Sequence, residues 1–218
     1  TSALAGYPLM FALTALGCLL SAATVAMFVA ESARPPRRAA QQRWDGIGDM
    51  LRDRLFMGLC LSSLCVYTVM AQFTATLMVY CTTSLRLPPS LAGWLFSLNG
   101  ALVVLLQIPV SRHISRHRLT GALIAGALCY TVGYGAVGIA WTVGATPAMF
   151  AFLCLCMGVI TLGEVFLTPS TVSLAANLSP PDQRGRYQGV FGWSSHLGWC
   201  FAPLIGGFAL DAFVETPE

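Results

Sequence analysis

The sequence predicts an all-α polytopic membrane protein with six transmembrane helices. Three observations carry this reading: charge is scarce, it is confined to short segments between long charge-free runs, and its basic part falls on alternate loops. Of the 218 residues, 10% are charged and 56% are hydrophobic, with a mean hydropathy of +0.70. Ordinary soluble domains carry roughly 25% charge. A soluble chain of this size has too much surface to solvate with so few polar groups. A bilayer relieves that demand by acting as the apolar solvent.

The charge-free runs give the helices in order. Leu4–Ala30 is the first and Leu55–Leu85 the second, with the helix itself read as Leu55–Tyr80. Pro88 and Pro89 lie in an outside loop, and Ser90 is expected to cap the third helix, which ends near Val110. Leu119–Gly163 is a run of about 45 residues, roughly 67 Å as one helix. A hydrocarbon core is about 30 Å thick, so this run is two crossings. Gly144-Ala145-Thr146-Pro147 supplies the turn between them. The fourth helix is then Leu119–Val143. The fifth begins at Pro147, is expected to bend at Pro169 and ends near Leu174; the sixth is Tyr187–Leu210. Every span must be helical, because lipid offers the backbone no hydrogen-bond partners. The first run is too long, and lacks the preceding basic residue, for a cleaved signal peptide.

All 12 basic residues are Arg. Arg34, Arg37, Arg38, Arg43, Arg52 and Arg54 lie in Glu31–Arg54; Arg112, Arg116 and Arg118 lie in the third connection, and Arg184 and Arg186 in the fifth. The opposite side has only Arg86. The positive-inside rule makes the three Arg-bearing loops cytoplasmic and puts both chain ends outside. This asymmetry accounts for the net charge of +3 without a nucleic-acid partner. Within Glu31–Arg54, Trp44, Ile47, Leu51 and Leu55 share one face and predict a short surface helix.

Several patterns carry no chemistry. The eight cysteines form no C-x-x-C pair and read as small packing residues, so no metal and no cofactor is expected. Gly133-Tyr134-Gly135-Ala136-Val137-Gly138 fits G-x-G-x-x-G but lies mid-span with no strand before it. His113 and His117 are four apart, with Ile114 where a zinc protease needs Glu. The sequon Asn177-Leu178-Ser179 falls on the Arg-bearing side.

The last span is the most specific stretch. Gly189, Gly198, Pro203, Gly206 and Gly207 match G-x8-G-x3-G-P-x2-G-G, with Ala202 in place of one glycine. The preceding loop ends in Arg184-Gly185-Arg186-Tyr187, and Leu51-Arg52-Asp53-Arg54-Leu55-Phe56 leads into the second span. In these features the chain resembles the major facilitator superfamily over essentially its whole length. The resemblance implies a partial fold of that family, covering helices six to eleven. Residues 1–30 would be the last helix of the N-terminal half and 31–54 the cytoplasmic interdomain linker. Residues 55–218 would be five helices of the C-terminal half, the final helix missing. The chain begins without Met near a span and ends soon after leaving the membrane, so it is expected to be cut from a longer polypeptide. The glycine pattern has two readings: an antiporter signature, or close helix packing with a proline bend. The family's G-x-x-x-D-R-x-G-R-R gating motif is degraded here. Arg116 fits it, but Ser115 replaces the Asp. Arg184 and Arg186 are expected either to pair with cytoplasmic carboxylates during gating or to serve topology alone.

Glu164 is the one acidic residue inside a predicted span, and such a carboxylate usually faces a cavity or a partner. His196 is the one His inside a span. Each lies about ten residues from the cytoplasmic end of its helix, roughly 15 Å deep, so the two are candidates to meet. Two readings stand for each: proton coupling or substrate contact, and a structural hydrogen bond between helices. Gln72, Tyr67, Asn99 and Gln107 are further polar groups at membrane depth, expected as substrate contacts or interhelical bonds.

The resemblance implies secondary transport of a small molecule by alternating access, proton-driven, with drug efflux as a subclass and the plasma membrane as location. Its expected partners are the substrate, protons, the lipid bilayer and the missing helices of the same polypeptide. The chain is not expected to be an enzyme. A six-helix intramembrane protease of the rhomboid type needs a G-x-S-G nucleophile in its fourth span, and Leu119–Val143 contains no Ser. The other alternative is a non-transporting membrane subunit or an inactive fragment.

Overall fold

A computed structural model describes residues 2–28, 47–115, 118–144 and 146–214. Apart from short connections these residues are helical, with no strand among them. The chain divides into two units, Thr1–Asp45 and Gly46–Glu218. The first contains α1, Ser2–Phe28, a helix of 27 residues. The second contains α2 (Ile47–Arg52), α3 (Arg54–Gln72), α4 (Pro89–Ile114), α5 (Leu119–Gly138), α6 (Thr146–Leu178) and α7 (Arg184–Val214). Most of the expected linker, including Trp44 and its four Arg residues before Asp45, lies outside the described residues.

Four helical stretches among the described residues are long and apolar enough to cross a membrane: Arg54–Ser84, Pro89–Ile114, Leu119–Gly138 and Thr146–Leu178. They fall where the second to fifth spans were expected. The described apolar stretch of α1, Ala15–Phe28, is shorter. At 31 residues α7 is long enough, but Arg184, Arg186, Gln188 and His196 in a glycine-rich sequence lower its hydropathy. The chain is a multi-pass helical membrane protein.

Asp53 sets the start of α3. Its carboxylate accepts hydrogen bonds from the Leu55 and Phe56 amides, both at 3.1 Å, capping the helix. The short helix α2 forms as expected, but its expected apolar face is not the buried one. Met50 is the residue that is buried, whereas Leu51 and Leu55 are exposed. Met50 packs with Phe56, Leu59, Cys60, Ala175, Tyr187 and Phe191. That cluster gathers the start of α3, the end of α6 and the start of α7, so the loops carrying Arg52, Arg54, Arg184 and Arg186 share one end of the unit.

Beyond Gln72 the helix continues through two π-helical turns, Phe73–Leu77 and Tyr80–Ser84. The Leu85 amide bonds the Tyr80 carbonyl at 3.0 Å, one residue further back than in an α-helix. The expected Ser90 cap is not made. Pro88 is the N-cap and Pro89 opens α4 without any side-chain cap bond. Proline has no N–H to satisfy and its fixed φ suits a first helical turn, so the cap stands at Pro88, two residues before Ser90. Gly144, at φ +77°, makes the turn before α6, in the left-handed region that glycine tolerates. Pro169 stands inside an uninterrupted α6.

The centre of this unit is α6, which packs against α5 and α4 and touches α3 and α7 more lightly; α3 lies along α7. Glycines set the two tightest seams. A Cβ on Gly126 of α5 would meet Leu167 Cγ at 2.6 Å and the Gly163 carbonyl at 3.0 Å. A Cβ on Gly163 of α6 would meet Tyr130 Cδ1 at 2.6 Å and the Gly126 carbonyl at 2.9 Å. On the other seam, a Cβ on Gly198 would stand 2.7 Å from the Leu64 carbonyl and 2.9 Å from the Thr68 amide. One on Gly206 would collide with Thr76 Oγ1 and lie 2.7 Å from Gln72 Oε1. Small residues that admit a neighbouring backbone are the common device of helix association in lipid.

Gly189 and Gly207, from the same sequence pattern, are exposed with nothing within 4 Å. Gly198→Ala is therefore expected to destabilise the protein by about 1–3 kcal/mol through overpacking. Gly189→Ala is expected to be neutral or to stabilise by up to about 1 kcal/mol through helix propensity. Thermal unfolding in detergent measures both.

Candidate functional site

Asn99 of α4 meets Thr161 and Glu164 of α6 at one point. One Asn99 amide nitrogen donates to Glu164 Oε2 and to Thr161 Oγ1, each at 3.0 Å. Thr161 Oγ1 in turn donates to the Met157 carbonyl at 2.8 Å. Thr161 is fully buried, while Asn99 and Glu164 are half-buried. A carboxylate at this depth is costly unless it is hydrogen-bonded, and Asn99 supplies the donor.

Glu164 and Asn99 both line a cavity of about 300 Å³. Apart from Thr74, the rest of its wall is apolar and aromatic, with Phe73, Tyr130, Tyr134, Ile160 and Trp199 prominent. Among the described residues, no basic side chain is in this lining. A lone carboxylate in an aromatic pocket suits a positively charged organic guest, since ring faces attract cations as well. A second cavity, about 240 Å³, is lined by Gln72, Thr76, Tyr80, Tyr134 and Val137 among others. Tyr134 belongs to both walls.

The remaining sequence candidates separate into distinct roles. Gln72 donates from Nε2 to the Ala202 carbonyl at 3.0 Å and accepts from Thr76 Oγ1, so it ties α3 to α7 and also lines the second cavity. Tyr67 is half-buried, with its Cβ against Gly198, and contributes to the α3–α7 seam. Gly198 and Gly206 are seam positions; Gly189, Pro203 and Gly207 are exposed. Arg184 is exposed, Arg186 is half-buried, and Arg116 lies outside the described residues.

His196 does not meet Glu164. Its ring nitrogen Nδ1 lies 2.6 Å from the Gly192 carbonyl of its own helix, and the side chain is exposed. The reason is azimuth. The buried stripe of α7 runs Tyr187, Phe191, Ser195, Gly198, Ala202 and Gly206. His196 precedes Gly198 by two residues, about 200° around the helix at 100° per residue.

The cavity residues Tyr130, Tyr134, Phe73 and Trp199 were not singled out from sequence. The signal for the tyrosines was present: two phenols four residues apart within an otherwise apolar span. In a double-mutant cycle, Asn99→Ala and Glu164→Ala are expected to show a coupling of about 0.6–1.7 kcal/mol, from the average to the maximum for hydrogen bonds between membrane helices. Thermal or denaturant unfolding of the four proteins measures it.

Comparison with known proteins agrees with this architecture. The family profile described as Major Facilitator Superfamily matches residues 1–203. A Multidrug resistance protein MdtH from Aeromonas hydrophila is 30% identical over 172 residues, covering 77% of this chain and 40% of that protein. The MdtH of Cronobacter sakazakii is 28% identical over 181 residues, covering 80% of this chain and 42% of its own length. The Uncharacterized MFS-type transporter YttB of Bacillus subtilis is 27% identical over 145 residues, covering 66% of this chain and 34% of YttB. The chain thus spans roughly two-fifths of the length of the MdtH relatives. With a profile match over nearly all its residues and the helical architecture described above, the chain belongs to the Major Facilitator Superfamily.

Proposed function

We propose that this chain is part of a secondary transporter that moves small organic molecules across the plasma membrane by alternating access, coupled to protons, and that drug efflux is its use. On this reading residues 1–30 close the N-terminal half, 31–54 link the halves, and 55–218 form five helices of the C-terminal half. The observation that carries the proposal is Glu164, held by Asn99 at 3.0 Å on the wall of an aromatic cavity. A carboxylate there can attract an organic cation, and it can exchange that cation for a proton. Competition of the two for one acceptor couples their movements without further machinery. The names of the MdtH relatives support efflux as the direction. Alternating access is the general mechanism of folds built from two repeated halves.

The bond to Asn99 also favours a second, structural reading, in which Glu164 only ties α4 to α6. Glu164→Gln separates the two, because a glutamine oxygen still accepts from Asn99 while it can no longer carry a proton. In the full-length protein in proteoliposomes, this variant is expected to fold normally and to lose gradient-driven export of a lipophilic cation by about 100-fold, within the usual range for a positioned proton-transfer group. Export that stays as fast and as pH-dependent as in the parent protein would reduce Glu164 to a structural residue.

A further inference from the structure

Three of the polar side chains on or beside the Glu164 cavity have their donors committed. Asn99 spends its amide on Thr161 and Glu164, Thr161 donates to the Met157 carbonyl, and Thr74 Oγ1 donates to the Ala71 carbonyl at 3.1 Å. Tyr134 differs. Its hydroxyl is buried and has no hydrogen-bond partner among the described residues. Three other buried hydroxyls share that state, on Ser63, Thr168 and Ser170, but none of them lines either cavity described above. A buried hydroxyl left unpaired is costly, and native structures usually resolve it with a ligand or a water.

The ring of Tyr134 is well placed. It meets Tyr130 edge-on, with centroids 5.6 Å apart and planes at 74°. Tyr130 is itself set against Gly163, whose Cβ position would fall 2.6 Å from Tyr130 Cδ1. The glycine seam therefore positions Tyr130, and Tyr130 buttresses Tyr134. Packing alone asks only for a phenyl ring at this position.

We propose that the Tyr134 hydroxyl is a specificity-determining contact, which donates a hydrogen bond to an acceptor on the molecule bound beside Glu164. The site then takes organic cations that carry a carbonyl or ether oxygen in preference to cations that are wholly apolar. This rests on the reading of the Glu164 cavity as the transport site.

The test uses the full-length protein in nanodiscs and two cationic probes. Rhodamine 6G carries an ester carbonyl, and tetraphenylphosphonium has no hydrogen-bonding group. Tyr134→Phe is expected to weaken rhodamine 6G binding about five- to tenfold, the value of one neutral hydrogen bond, and to leave tetraphenylphosphonium binding and the unfolding temperature unchanged. Equal weakening of both probes, or of neither, overturns the proposal. So does a shift in pH dependence common to both probes, which would assign the hydroxyl to Glu164 through a water. On the parent protein, rhodamine 6G must also bind more tightly than an analogue lacking only the ester carbonyl, a comparison that needs no variant to fold. Glu164→Gln on tetraphenylphosphonium isolates the underlying reading: no effect there overturns the transport site itself. An effect there with Tyr134→Phe silent on rhodamine 6G overturns the specificity contact alone.

Discussion

The close approach of α5 to α6 at Gly126 and Gly163 is the constraint on which the rest of the site depends. Each glycine faces the other's carbonyl at a distance that leaves no room for a methyl group. In lipid no hydrophobic force pulls two helices together, so contact must come from packing and hydrogen bonds. With the backbones this near, Tyr130 lies across Gly163 and Tyr134 is carried to the cavity one turn further on. Glu164 follows Gly163 directly, so the residue that admits the neighbouring helix also fixes where the carboxylate emerges.

The second seam has the same logic with an added polar tie. Gly198 and Gly206 let α7 lie on α3, and between them Gln72 reaches the Ala202 carbonyl. The two seams meet only lightly, since α6 and α7 have few contacts with each other. The cavity opens where they diverge: Trp199 comes from α7, Phe73 from the π-helical end of α3, and Glu164 from α6. It is thus a by-product of two tight helix pairs set apart, with the polar pair Asn99 and Glu164 on one wall.

Much of this was legible in the sequence. Charge-free runs located the helices because burying an unpaired charge in lipid is prohibitive, a signal that needs no tertiary context. Glu164 was visible for the same reason. The depth of His196 was readable but its direction was not, because depth follows from counting residues whereas azimuth depends on which face finds a partner. Only the stripe through Gly198, Ala202 and Gly206 decides that, and it was visible as a motif without revealing which of its glycines touch anything. A hydroxyl such as Ser90 is a usual helix cap, but the two prolines before it pre-empt the position. The π-helical turns left no trace in composition, since a change of hydrogen-bond register costs little and has no residue signature. Tyr134 stands within a glycine pattern whose spacing points to nucleotide binding and says nothing of a buried phenol.

The two π-helical turns that continue α3 give it a property that α4, α6 and α7 lack. Each holds one residue more than an α-helical turn would, so the segment beyond it is offset by about 100° from the α-helical register. Tightening the first of them, Phe73–Leu77, to α geometry would swivel the distal segment, with Tyr80 on it, while Gln72 below stayed bonded to α7. The exchange swaps one set of backbone hydrogen bonds for another and breaks no helix. The cavity lined by Gln72, Thr76, Tyr80 and Tyr134 is the volume that such a change of register would reshape.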